Sequence, residues 1–94
     1  MDKAREILRG QKAQTLLNDP LLVEAFEDVH ADIITGLEKS EFADVEIRED
    51  AYRMLRALES LKGKLERYVR KAKGLQAEDE ELARSVPRLA ETKE

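Results

Sequence analysis

The longest regular pattern in the chain lies over residues 47–75. Apolar side chains recur there at Ile47, Ala51, Met54, Leu58, Leu61, Leu65, Tyr68, Ala72 and Leu75, in alternating steps of four and three. That spacing is the a/d repeat with which helices interlock along a shared axis, and it predicts one helix over 45–73. Leu55 and Val69 occupy e positions and widen the stripe, so this helix can touch more than one neighbour. Asp44 is suited to cap its start. Glu46, Glu49 and Asp50 put negative charge where the helix dipole favours it, and Gly74 is placed to end the helix.

Two shorter patterns precede it. Ala4, Ile7, Leu8, Ala13, Leu16 and Leu17 predict a helix over 3–17 with Asp2 as its cap, although Gly10, Gln11 and Lys12 interrupt the stripe. A helix of that length is marginal alone and needs a surface to lie on. The punctuation Asn18-Asp19-Pro20 then starts a second helix over 20–38. Asp19 can receive a free N–H, and Pro20 sits where its missing N–H costs nothing. Leu22, Phe26, Val29 and Ile33 form its stripe, broadened by Leu21, Ala25, Ile34 and Leu37. The connector 39–44 is short enough to turn the chain back on itself, with Phe42 folding over the turn.

The expected fold is all-α: an antiparallel helical hairpin at 19–74, an additional N-terminal helix within 1–18, and an acidic tail at 75–94. In that tail 76–81 is an acidic run, Leu82, Ala83, Val86 and Leu89 suggest a short amphipathic helix before Pro87, and residues 90–94 are expected to lack fixed structure. The lengths of the two long helices differ, roughly 28 Å against roughly 43 Å at the usual helical rise. Antiparallel pairing leaves the 65–75 end of the stripe beyond the second helix. Either the first helix covers it or another subunit does, and the sustained heptad repeat favours a subunit. The interface residues expected on this ground are Leu58, Leu61, Leu65, Tyr68 and Leu75.

Composition agrees with a chain that completes its core by association. Of 94 residues 40% are charged and only 4% aromatic, so few large anchors are available. The absence of cysteine excludes disulfide and thiolate chemistry and fits a reducing cytoplasm. No apolar run nears the roughly 20 residues of a membrane span, and the first residues do not read as a signal peptide.

Candidate chemistry is sparse. Glu27 and His30 have the Glu-x-x-His spacing of di-iron helices, but only one copy is present and both flank the apolar stripe, so a solvated histidine is expected and no metal. Carboxylate pairs are common in so acidic a chain, and nothing sets one in an apolar pocket that would raise its pKa. With one histidine, no cysteine and four scattered glycines, neither a nucleophile triad nor a phosphate loop can be assembled. A non-enzyme without cofactor is expected.

Charge distribution says more than the net value of −4. Lys62, Lys64, Arg67, Arg70, Lys71 and Lys73 are opposed only by Glu66 within their stretch. Such a cluster can track a phosphate backbone non-specifically, or receive an acidic partner such as the tail. It also suits a helix C-terminus beside a heptad stripe, which is the plainer explanation.

Residues 16–26 (Leu16-Leu17-Asn18-Asp19-Pro20-Leu21-Leu22-Val23-Glu24-Ala25-Phe26), 48–52 (Arg48-Glu49-Asp50-Ala51-Tyr52) and 58–65 (Leu58-Glu59-Ser60-Leu61-Lys62-Gly63-Lys64-Leu65) resemble small helical proteins of bacteriophages and prophages encoded among packaging and head-assembly genes. The arrangement also resembles the oligomerisation hairpin of phage small terminase subunits. The resemblance spans about two thirds of the chain and implies an oligomeric subunit, in the host cytoplasm or on the virion, that acts in viral DNA packaging. It also implies a C-terminal segment (Leu82, Val86, Leu89) contacting a large terminase or another phage protein. Small terminases carry an N-terminal helix-turn-helix for DNA, and 1–17 is too short to be one. The alternatives are a virion structural or adaptor protein without DNA contact, and a small acidic inhibitor of a host protein.

Overall fold

A computed structural model describes residues 2–92, with side chains through residue 84. It holds three helices, α1 (Lys3–Leu17), α2 (Pro20–Lys39) and α3 (Val45–Thr92), and no strand among the described residues. The all-α expectation is met.

Local chemistry sets most helix ends. Asp2 accepts from the Ala4 N–H at 3.2 Å and caps α1. Asp19 accepts from Leu21 and Leu22 N–H at 2.8 and 3.2 Å and caps α2, with Pro20 in the first turn. Between these helices the backbone hardly leaves helical bonding: Asn18 N donates to Gln14 O, Asp19 N to Leu16 O and Val23 N to Asp19 O. The first two helices therefore lie end to end, and both run against α3. Lys3 reaches Asp79, Arg9 lies over Tyr68, and Gly10 meets Ala72, while Ile33 shares a groove with Ala51 and Leu58.

The molecule measures 79 × 24 × 19 Å with a radius of gyration of 21.5 Å, against about 13 Å for a compact domain of similar length. A rod of this width has no central core. Only Ala13, Ile33, Ala51, Val69 and Ala72 are buried hydrophobics among the described residues, and three of the five are alanines.

Three expectations change. Helix α3 does not stop at Gly74 but continues to Thr92, and no described glycine has positive φ. The reason is packing: α1 runs alongside as far as Asp79, and Leu75 and Gln76 are half-buried. Contact of this kind outweighs the roughly 1 kcal/mol that a mid-helix glycine costs. Of the end expected to lack structure, 90–92 belong to α3, and 93–94 lie outside the described residues.

The 65–75 end of the α3 stripe is covered within the chain by α1, so no second subunit is needed at that point. Gly10 is the cause. A Cβ there would lie 2.1 Å from the Ala72 Cβ and 2.5 Å from the Tyr68 carbonyl oxygen. The glycine that interrupts the α1 stripe is thus what lets α1 approach α3.

Phe42, third, does not fold over the turn but stands 95% exposed at its tip. The turn is closed by its own bonds instead. Ser40 Oγ donates to Leu37 O, Glu41 N to the Asp44 carboxylate, and the Arg48 guanidinium to the carbonyls of Glu41 and Phe42. Asp44 directs its carboxylate across the turn, and its carbonyl receives the Arg48 N–H as α3 begins.

Candidate self-association face

Helix α3 carries more apolar arc than its own chain covers. Numbered as heptads, Ala51, Leu58, Leu65 and Ala72 are a positions, and Leu55, Val69 and Gln76 are e positions. These two rows face α1 and α2: of the residues named, Ala51, Val69 and Ala72 are buried and the others half-buried, while Lys62, the e position between Leu55 and Val69, is exposed. The d row looks past them. Ile47, Met54 and Leu61 are 54%, 52% and 56% exposed, although their chemistry is that of core residues. Residues seven apart share one side of a helix to within about 20°, so the d row forms a single edge.

Two grooves open along that edge. One, of about 630 Å³, is lined by Val29 and Ile33 of α2 and by Ile47, Met54, Leu58 and Leu61 of α3, with Asp32 and Gly36 at its margin. The other, of about 680 Å³, lies between α1 and α3 on Leu8, Leu16, Leu65 and Tyr68, rimmed by Arg5, Arg9 and Lys12. In it the Arg9 guanidinium sits 4.1 Å from the Tyr68 ring centroid, within cation–π range. Arg9 Nε is shielded from water and has no hydrogen-bond partner among the described residues. The total accessible surface, 7716 Å², exceeds by about 2,000 Å² what a compact monomer of this mass exposes.

The expected interface residues fall on both sides of this division. Leu61 is open to solvent, Leu58 is half-buried in the α2–α3 groove, and Leu65, Tyr68 and Leu75 are half-buried in the part of α3 that α1 covers. Sequence reasoning passed over Val29, Ile47 and Met54 as partner-facing residues. Their stripe was visible, but which row the chain covers depends on how α1 and α2 rotate against α3.

The six expected cations, Lys62, Lys64, Arg67, Arg70, Lys71 and Lys73, are all exposed. They point around the helix rather than along one line, as their heptad positions require. Helix α1 adds Lys3, Arg5, Arg9 and Lys12 to the same end of the rod, a contribution legible in the i, i+4, i+7 spacing of Arg5, Arg9 and Lys12. The acidic run does not turn back on the 62–73 cations. It continues the helix and reaches α1, where Asp79 pairs with Lys3 at 2.5 Å and holds the Lys3 ammonium above its ordinary pKa.

In the expected tail contact, Leu82 is 60% exposed, and the side chains of Val86 and Leu89 lie outside the described residues. Glu27 and His30 are exposed on α2. Among the described residues no three His, Cys, Asp or Glu side chains gather as a metal site, and no helix is long and apolar enough to cross a membrane. A comparison with family models, with curated proteins and with solved structures found no match in any of the three.

Proposed function

We propose that this chain is a non-enzymatic assembly protein of phage type that works as a homo-oligomer. In this reading α2 and the first half of α3 are the oligomerisation hairpin of a small-terminase-like subunit acting in viral DNA packaging in the host cytoplasm. The observation that carries the self-association is the d row of α3, apolar and more than half exposed at three successive heptads. Burying such a row contributes a hydrophobic term of about 25 cal/mol per Å² of apolar area, which is offset in part by the freedom lost on association. The packaging role rests on the resemblance of residues 16–26, 48–52 and 58–65 to phage proteins. The cationic end formed by α1 and 62–73 supplies the groups that would meet DNA, or an acidic surface of a large terminase or another phage protein.

Size exclusion with light scattering tests the first part. The chain is expected to run as an oligomer, and Leu61→Asp to reduce its mass while leaving the helical content intact, because Leu61 is already half in water within one chain. Leu65→Asp is the contrast. It puts a charge under α1 and should lower the melting temperature whatever the mass. A monomeric wild type at 100 µM would end the assembly reading. Filter binding to duplex DNA over a salt series tests the second part. Binding that falls steeply with salt supports DNA contact, whereas flat and negligible binding at low salt leaves the virion adaptor as the role.

A further inference from the structure

We infer that the occupant of the d-row face is a second copy of the chain laid antiparallel, with a two-fold axis beside Ala57. The inference rests on the self-association reading and adds the orientation and the register.

Charge selects the orientation. Residues 19–61, the half of the rod nearer the turn, carry twelve acidic and four basic side chains. The other half, α1 with 62–84, is reversed: residues 2–18 and 62–84 together carry eleven basic and seven acidic ones, the acidic ones mostly in the run 78–81 at its far end. Two such rods laid side by side in the same direction place like charge against like over their whole length. Laid in opposite directions about Ala57, the cationic stretch from Lys62 to Arg67 comes alongside the acidic start of α3, Glu46, Glu49 and Asp50, of the second copy, and the contact closes as a two-fold dimer.

Heptad chemistry selects the register. The positions flanking the d row on its outer side are the g positions, Asp50, Ala57, Lys64 and Lys71. Across an antiparallel helix pair, g residues of one copy face g residues of the other. With the axis at Ala57, Asp50 faces Lys64 of the second copy, and the pair occurs twice. Met54 then meets Leu61 of the second copy, Ile47 approaches its Tyr68, and the two Ala57 methyls allow the backbones to come close. In a parallel pair the g row of one copy faces the opposite flank of the other, so Asp50 and Lys64 would not meet. Among the described residues Asp50 pairs with the exposed Arg53, at 2.7 Å, an ion pair that water competes with and that exchanges easily.

Size is compatible. The d row over 47–68 is about 33 Å long, and α2 with α3 present a strip about 20 Å wide, so two copies would bury about 1,300 Å² in all. That is within the range of stable interfaces.

The chain has no cysteine, which makes crosslinking direct. Ala57→Cys, Asp50→Cys and Lys64→Cys would each be made as single variants and oxidised mildly. Ala57→Cys should form a disulfide dimer with itself. Asp50→Cys and Lys64→Cys should each remain uncrosslinked, yet give the mixed dimer when combined reduced and then oxidised. Self-crosslinking of Asp50→Cys or Lys64→Cys would overturn the register. A wild type that is oligomeric by light scattering while no variant crosslinks would overturn the face. A monomeric wild type would instead remove the self-association reading beneath both. As a second measurement, Asp50→Lys should weaken association about tenfold or more, and the double variant Asp50→Lys/Lys64→Asp should recover it. Absence of recovery would count against the pairing.

Discussion

Replacing Gly10 by alanine tests the packing of α1 more directly than any truncation. An added Cβ would lie 2.1 Å from the Ala72 Cβ, and ordinary van der Waals contact begins at 3.4 Å, so α1 must retreat by about 1.3 Å. Neither obstacle can step aside, because one is the stub of a buried alanine and the other, at 2.5 Å, is the Tyr68 carbonyl. A radial gap of 0.5–1 Å already forfeits a quarter to a half of the dispersion energy of each atom pair. Inserting a methyl into a packed site costs about 1–3 kcal/mol, and the rigid neighbours place Gly10→Ala toward the upper end.

Alanine returns about 1 kcal/mol through its better helix propensity, leaving a net loss of about 1–2 kcal/mol. For a chain of this size that lowers the melting temperature by about 5–15 °C. The controls are Gly63→Ala and Gly74→Ala, where an added Cβ meets nothing within 4 Å. There only the propensity gain remains, and both should raise stability by about 0.5–1 kcal/mol. Circular dichroism melts at one fixed protein concentration, which holds any association term constant, compare all three. If Gly10→Ala stabilises as its controls do, α1 does not approach α3 at that point, and the in-chain cover of the 65–75 stripe is wrong.

Two further outcomes follow from local chemistry. Asp19→Ala removes the acceptor for the Leu21 and Leu22 N–H groups and should cost about 1 kcal/mol in urea unfolding; Asp19→Asn should restore most of it. The Lys3–Asp79 pair holds the Lys3 ammonium above 10.5, first through its hydrogen bond to Asp79, so its contribution is complete below pH 10.5 and is lost as pH rises through the raised value. Because both side chains are exposed, the contribution is small. Any difference in melting between wild type and Lys3→Met should be flat from pH 7 to 9 and close only above 10.5. A difference that closes below pH 9 would contradict this origin.

Sequence alone determined what is local. The three helices, the caps at Asp2 and Asp19 and the break at Pro20 follow from short-range periodicity and from which side chains can satisfy a free N–H. The excess apolar arc on α3 was equally visible as an a/d stripe widened at e. Tertiary structure decided which part of that arc is covered. Gly10 reads along its own helix as a gap in a stripe, and only the approach of Ala72, sixty-two residues away, makes it the contact point. The continuation of α3 past Gly74 has the same origin, since a helix C-terminal signal yields when a neighbouring helix runs alongside. The rotation that hides the a and e rows and leaves Ile47, Met54 and Leu61 in water is a choice between faces of nearly equal hydrophobicity. Helix propensity is blind to it, and close packing against α1 and α2 is what settles it.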